Sequence, residues 1–454
     1  MTSPILVAPE SSSVSDPKST RSLLDSAVFY GVFGLLLFGP LAFGATEPWS
    51  IFVLEFGAAL LFIVWLMKQA MSSELRITGN PLFPPMLVFA GLIFAQLMFG
   101  RSAYHYATFS GSLLYCAYGM LCFLAAQCLR RGSQVKKLAV IVSVYGSAVA
   151  LFALLQSLAP NGKLYWLREP RSGGWIYGPY VNHNHYAGLM EMLVPIPLVY
   201  CVSRYAHGER RIIAGTAAAI MASTVFLSGS RGGMLALAVE IALFATALMT
   251  RERRPKAAIA GGVFLLVILS VLTWIGGGEL TSRMTSIGTE ARTELSGGMR
   301  LAIDRDGLRM FAKKPVLGWG LGVFPVVYPQ FRSFYTNVVV NRAHDDYLQL
   351  LAEMGALGFA TMLWFLVVLY RNSIKKLDNW AINISGAISL AALLGCAGIL
   401  VHGFVDSNLQ IPANAALFYV LCGLAASKPL TESRRHRRSH RTEMQETGVL
   451  PEAV

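Results

Sequence analysis

Residues 382–401 read INISGAISLAALLGCAGILV, twenty consecutive positions without one charged side chain. At about 1.5 Å rise per residue, a helix of that length covers roughly 30 Å, the thickness of bilayer hydrocarbon. The apolar residues run continuously instead of alternating, so the segment reads as a helix and not as a barrel strand. Only helices or closed barrels satisfy their backbone groups in lipid. Working outward, runs of the same kind predict spans at roughly 26–43, 50–67, 83–99, 109–128, 138–159, 185–203, 212–228, 233–249, 257–275, 346–370 and 412–427. The expectation is an all-α polytopic membrane protein of about twelve transmembrane helices, forming one membrane domain over 26–427. The composition agrees: 54% of the 454 residues are hydrophobic and 14% are charged, against about a quarter charged in soluble domains.

The segments outside that domain are polar. Residues 1–25, MTSPILVAPESSSVSDPKSTRSLLD, are rich in Ser and Pro and lack the layout of a cleaved signal. They read as a disordered cytoplasmic tail, with the first helix as an uncleaved insertion signal. Residues 428–454 form a basic tail containing Arg434-Arg435-His436-Arg437-Arg438.

An even number of spans puts both termini on one side, and the positive-inside rule tests which side. Of the 38 Lys and Arg residues, 24 fall on the side of the termini and 14 on the other. Nine of those 14 lie in one 69-residue loop, 277–345, and long loops do not count in the rule. Both termini are therefore expected in the cytoplasm, with the large loop between helices 9 and 10 on the opposite face. The net charge of +13 then reflects contact with anionic lipid, and nucleic acid is not an expected partner. The six cysteines (Cys116, Cys122, Cys128, Cys201, Cys396 and Cys422) fall in helices or at their cytoplasmic ends, so neither a disulfide nor structural zinc is expected. No P-loop and no paired-acid nucleotide-sugar motif stands on the cytoplasmic side.

Reactive side chains gather on the non-cytoplasmic side. Arg231 lies in Ser228-Gly229-Ser230-Arg231-Gly232-Gly233, a tip so short that the arginine stays at the membrane. It suits a phosphate bidentately, with glycines that admit a ligand, or it snorkels to water. Residues 298–315 of the long loop predict a helix ending at Pro315, followed by a flexible turn at Gly318-Trp319-Gly320-Leu321-Gly322. Arg305, Arg309 and Lys313 share one face of that helix, and Arg300 lies off the row. A basic face there either holds a diphosphate or rests on headgroups.

His344 precedes Asp345, Asp346 and Tyr347 at the start of the tenth helix. It reads as a general base oriented by carboxylates, or as part of a helix-capping cluster. Asn182, Asn184 and His185 offer hydrogen bonds to sugar hydroxyls or phosphate, although Asn182 also suits a helix cap. Arg168 and Arg171 add positive charge to the same face. His402 and Asp406, four residues apart, read either as a polar pair or as turn residues. Glu55, Glu191, Glu240 and Glu353 are the few carboxylates inside spans, and the sequence shows no path among them.

Taken in order, these motifs resemble the O-antigen ligase and polymerase superfamily of bacterial cell-envelope glycosyltransferases. The likeness runs from about Gly178 to about Leu424. It rests on Asn182–Gly188, on Ser230-Arg231-Gly232-Gly233, and on Arg300 followed by Lys314–Gly322. Its strongest piece is Ala343–Gly358, AHDDYLQLLAEMGALG. The resemblance implies a C-type glycosyltransferase-like fold in the bacterial inner membrane and a transfer that uses no metal or other cofactor. The donor would be an undecaprenyl-diphosphate-linked glycan. The acceptor would be a hydroxyl of a growing glycan, of lipid A core or of a protein, in lipopolysaccharide or exopolysaccharide assembly. Arg231 and Arg300 would bind the diphosphate, and His344 would activate the acceptor or assist the leaving group. Asp345 stands where the family usually has Asn. The competing class is a non-enzymatic transporter or flippase of lipid-linked sugars.

Overall fold

The computed structural model describes residues 17–72, 77–129, 131–170, 174–251, 262, 297–336 and 339–427. Arg171, residues 1–16 and 428–454, and the expected span 257–275 apart from Gly262 lie outside these; residues 17–25, expected as part of a disordered tail, are helical instead. The described residues are helical without a named strand. Five helices lead in: α1 Pro17–Leu41, α2 Pro48–Ala70, α3 Phe83–Met98, α4 His105–Cys128 and α5 Gly132–Leu158. Then come α6 His183–Leu193, α7 Pro195–Val202, α8 Glu209–Leu227, α9 Arg231–Thr250 and α10 Gly297–Lys313. The last three are α11 Asp346–Ile374, α12 Ile384–His402 and α13 Pro412–Ala426.

Among the described residues, nine helical segments are long and apolar enough to cross a membrane, with α6 and α7 joined as His183–Val202. Two expected spans, α3 and α13, are shorter apolar helices of 16 and 15 residues. The reason is plain for α13. It is buried along almost its whole length, packed on α4 and α12. A helix surrounded by protein need not match the lipid thickness. Its partner α12 is buried over 78% of its span, as expected of a helix apolar on all sides. Small residues let the neighbours close in. A Cβ on Gly395 would lie 2.9 Å from the Met192 Cα, and one on Gly423 2.7 Å from the Cys122 Sγ. Such contacts replace the hydrophobic drive that lipid cannot supply.

The turn at 318–322, expected to be flexible, is instead braced by hydrogen bonds to α11 and α3. α11 breaks at Gly355, where φ is +65°, and the loop fills the gap. The freed amides of Ala356 and Leu357 donate to the carbonyls of Pro315 (2.8 Å) and Val316 (3.2 Å). In return, the amides of Trp319 and Gly320 donate to the carbonyls of Ala352 (3.1 Å) and Glu353 (2.9 Å). The Glu353 carboxylate takes the amides of Gly322 (2.8 Å) and Phe324 (3.0 Å). Gln96 of α3 donates to the carbonyls of Leu317 and Glu353. A broken helix at membrane depth demands such substitutes for its lost bonds. Glycine is required on both strands of the contact. Gly318 has φ +70°, and a Cβ there would lie 2.3 Å from the Glu353 carbonyl oxygen; one on Gly355 would lie 2.4 Å from that of Val316.

The helix expected at 298–315 is present as α10. Its buried side, with Ile303, Asp306 and Met310, packs on α11 and on the segment around Phe324 and Tyr328. Buried Asp306 accepts the amide (2.8 Å) and hydroxyl (3.0 Å) of Ser333, which ties the loop to the helix.

Candidate active site at the end of the bundle

The starts of α6, α9, α11 and α13 and the end of α12 meet at one end of the bundle. Their meeting point is the turn His402-Gly403-Phe404-Val405-Asp406. This turn closes because the amides of Val405 and Asp406 both donate to the His402 carbonyl, at 3.0 and 3.1 Å. Two side chains singled out in the sequence, and the segment that carries a third, converge on it.

His344 sits just before α11 with φ +58°, a left-handed conformation uncommon for a residue with a side chain. Its Nδ1 lies 3.3 Å from Asp406 Oδ1, a long hydrogen bond. The imidazole is 23% exposed and the carboxylate 1%. Asp406 Oδ1 also accepts the Ser407 amide at 2.7 Å. Burial alone would raise the Asp406 carboxyl. The hydrogen bond from His344 and the positive fields of His185, His344 and His402 outweigh it and hold the group well below the ordinary carboxylate range.

Arg300 comes from α10. Its Nη1 donates to the Val405 carbonyl at 3.1 Å, next door to Asp406, and its buried Nε has no partner. Asp304, one turn along α10, feels both Arg300 and His344. Burial and the charge of Asp345 nevertheless raise its carboxyl.

Arg231 opens α9, where Ser230 caps the helix by accepting the Gly233 amide at 3.1 Å. Arg231 itself is exposed. Its neighbour Gly232 lies against the same turn: a Cβ there would stand 2.6 Å from His402 Cδ2 and 2.7 Å from Val405 Cγ2. Thus His344 meets Asp406, Arg300 meets Val405, and the Arg231 segment packs on His402 and Val405 of one five-residue turn.

The other expected site residues take varied places. Asn182 caps α6, accepting the Asn184 amide at 2.8 Å. His185 brings Nε2 to 3.9 Å from Asp406 Oδ1, and that nitrogen has no hydrogen-bond partner. The companion His183 is structural: its Nδ1 meets the Ser228 carbonyl at 2.9 Å while its ring stacks on Trp175. Asp345 caps α11 through the amides of Tyr347 (2.8 Å) and Leu348 (2.9 Å). Burial raises its carboxyl, against the pull of those two amides. The Tyr347 hydroxyl donates to the Leu400 carbonyl at 2.6 Å and its ring lies on Phe404. Arg305 and Arg309 are exposed on the far side of α10, with Arg309 3.1 Å from Asp306. Arg168 is already engaged by Glu47 at 3.0 Å and by the Phe43 ring. Arg171 lies outside the described residues. Among the described residues, no cluster of three or more His, Cys, Asp or Glu is arranged to hold a metal ion.

Sequence reasoning left Asp406 and His402 as an open pair and passed over Arg342 and Asp304. Arg342 is half-buried and coupled electrostatically to Asp406 and Asp346; burial lowers its guanidinium. Asp346 itself staples α11 to the turn. Its amide donates to the Gly403 carbonyl at 2.8 Å, and its carboxylate accepts the Leu409 amide at 3.0 Å. Two of the span carboxylates, expected to form no path, pack on α12. Glu191 Oε1 pairs with His402 Nδ1 at 2.8 Å. Glu240 reaches the same helix at Gly398, one turn below His402.

Residues 216–363 match the family model described as O-Antigen ligase. That stretch contains Arg231, Arg300 and His344. The turn on which they converge, and His185, lie beyond it. Among curated proteins, no sequence matches the chain.

Proposed function

From the premise that residues 216–363 belong to the O-antigen ligase superfamily, we propose that this protein transfers a glycan from a polyprenyl diphosphate to an acceptor hydroxyl. The observation that carries the proposal is the convergence of His344, Arg300 and the Arg231 segment on the His402–Asp406 turn. The donor is already activated, so the chemistry needs a base for the hydroxyl and cations for the departing diphosphate.

Asp406, ionised beside His344 Nδ1, assigns the ring proton to that nitrogen and leaves Nε2 as the base. Nε2 takes the acceptor proton as the acceptor oxygen bonds to the anomeric carbon. The bond from that carbon to the diphosphate oxygen breaks, and its electron pair leaves with the diphosphate. Arg300 and Arg231 meet the charge that develops there. Arg300 is held for this by its bond to Val405, and Arg231 by the capped start of α9. The exposed row Arg305, Arg309 and Lys313 rests among headgroups and draws the anionic donor to the surface. Asn182, Asn184, His185, Asp345 and Tyr347, on the segments that meet at the same turn, orient the glycan. By the charge bias of the loops, the site faces the periplasmic side of a bacterial inner membrane.

Packing supports an enzyme over a transporter. Glu191 and Glu240 are wedged against glycines: a Cβ on Gly233 would lie 3.0 Å from Glu191 Oε1, and one on Gly398 would overlap the Glu240 carboxylate. Glu191 is paired with His402 and Glu240 is packed against α12, places that suit helix packing better than a passage.

The test is transfer by the purified protein given a polyprenyl-diphosphate-linked glycan and a hydroxyl acceptor. Wild type is expected to form the new glycosidic bond and release polyprenyl diphosphate; H344A and R231A are expected to insert normally and form none. Full activity in both variants would overturn the assignment.

A further inference from the structure

The cation that opens α9 and the base beside Asp406 come from separate helices, and something must hold them in register. The contact between them is a buried ion pair that the chemistry above does not use. Glu191 of α6 and His402 of α12 lie 2.8 Å apart, 0% and 1% exposed. Such a pair is costly to desolvate and persists where its geometry is fixed by packing.

Here the packing falls on the first turn of α9. Gly232 leaves no room for a Cβ beside the imidazole: 2.6 Å to Cδ2 and 2.7 Å to Nε2. Gly233 sits as close to the other partner, with Glu191 Oε1 3.0 Å from where its Cβ would be. The two glycines that follow Arg231 are therefore the seat of the pair. On its other side, His402 is the last residue of α12, and its carbonyl receives the amides that fold Val405 and Asp406 back. One imidazole thus touches the Arg231 turn with its ring and builds the Asp406 turn with its backbone.

We propose that Glu191 and His402 are a positioning pair that sets Arg231 at a fixed distance from the His344–Asp406 base. The inference rests on the functional reading above. It explains why glycine is needed at 232 and 233, where a helix start alone would accept alanine. Neither residue touches the substrate. Each acts through the segment that carries Arg231.

The experiment measures binding of undecaprenyl diphosphate to the purified full chain in detergent micelles, alongside thermal stability. Because removing one partner of a buried pair can unfold a protein, the decisive variant is G232A, which keeps both charges and pushes a methyl group into the contact. G232A is expected to weaken binding about ten-fold, in the manner of a misplaced binding group, with the unfolding temperature close to wild type. H402N is expected to weaken it similarly. In the double variant, the loss is expected to fall short of the product of the single losses, since both act through one contact. Wild-type binding by G232A beside loss in R231A overturns the positioning role and leaves the functional reading intact. Multiplicative losses in the double variant overturn it likewise. Undiminished binding by R231A removes the functional reading and the positioning role together.

Discussion

His344 Nδ1 lies 3.3 Å from Asp406 Oδ1, and the two residues reach each other across 62 positions of sequence. The carboxylate is buried, ionised and fixed by the Ser407 amide, so the imidazole is the movable member of the pair. Its backbone is left-handed, φ +58°, between the buried Ala343 and the helix cap Asp345. Strain that the surroundings enforce is a mark of a functional position.

The first prediction concerns pH. Asp406 is held well below its ordinary value of 3.8. A depressed acid contributes stability that is complete above the unfolded value and lost only as pH falls through the folded one. Asp406 therefore stays a carboxylate throughout any assay between about pH 5 and 9, and its own titration leaves no limb in the rate profile. D406N is expected to lower the transfer rate by about 10²-fold, the lower end of what positioned acid–base catalysis supplies. Steady-state rates of the purified variant across that pH range check it, and a wild-type rate in D406N would separate Asp406 from the base.

Arg300 is the second. Its guanidinium spends one nitrogen on the Val405 carbonyl and keeps the rest of its fork for a ligand. Lysine carries the charge without the fork. R300A is expected to reduce transfer by about 10²–10³-fold, as for removal of one charge-stabilising donor, and R300K to recover only a minor part. Steady-state rates with the polyprenyl-diphosphate donor decide it. Full recovery in R300K would show that charge alone suffices.

How much of this was legible in the sequence depends on the range of the contact. The span positions follow from local apolar runs, so eleven of the twelve expected spans fall on described helices, although the first helix starts nine residues earlier than expected, at Pro17, and only nine helical segments among the described residues are long and apolar enough to cross a membrane; 257–275, Gly262 apart, lies outside the described residues. His344, Arg231 and Arg300 stood out because a charge or an imidazole at a membrane surface is costly without a task. Asp406 and His402 did not, because Asp and Ser in a short loop are ordinary turn chemistry. Only the meeting of α11 with the end of α12 shows which role they hold. The 318–322 turn was misread as flexible for a related reason. Its glycines signal close approach as readily as freedom, and the approaching backbone, Glu353 to Gly355, lies more than thirty residues away.

That brace gives the third prediction. An alanine at Gly318 or Gly355 is forced into the left-handed region and against a carbonyl at 2.3 or 2.4 Å. Backbone strain alone costs about 1–3 kcal/mol, and the overlap adds to it. G318A and G355A are expected to lower the unfolding temperature by more than G162A, which shares the left-handed backbone (φ +73°) but has open space around it and so lacks the overlap. Scanning fluorimetry of the purified proteins in one detergent compares the three. Equal stability of all of them would mean that the loop and the broken helix yield without cost.

The exposed row on α10 supports a fourth, electrostatic prediction. Arg305 and Arg309 lie on the solvent-facing side of that helix, and interactions of exposed charges fade beyond a Debye length of about 10 Å at 0.1 M salt. R305A/R309A is expected to slow transfer several-fold at low ionic strength in anionic vesicles, and to approach wild type as salt is raised. Arg300, half-buried and bonded at the turn, is expected to show its loss at every salt concentration. Rates measured across a salt series in vesicles of fixed composition separate the two behaviours. A salt-independent defect in R305A/R309A would move that row from the membrane surface into the diphosphate site itself.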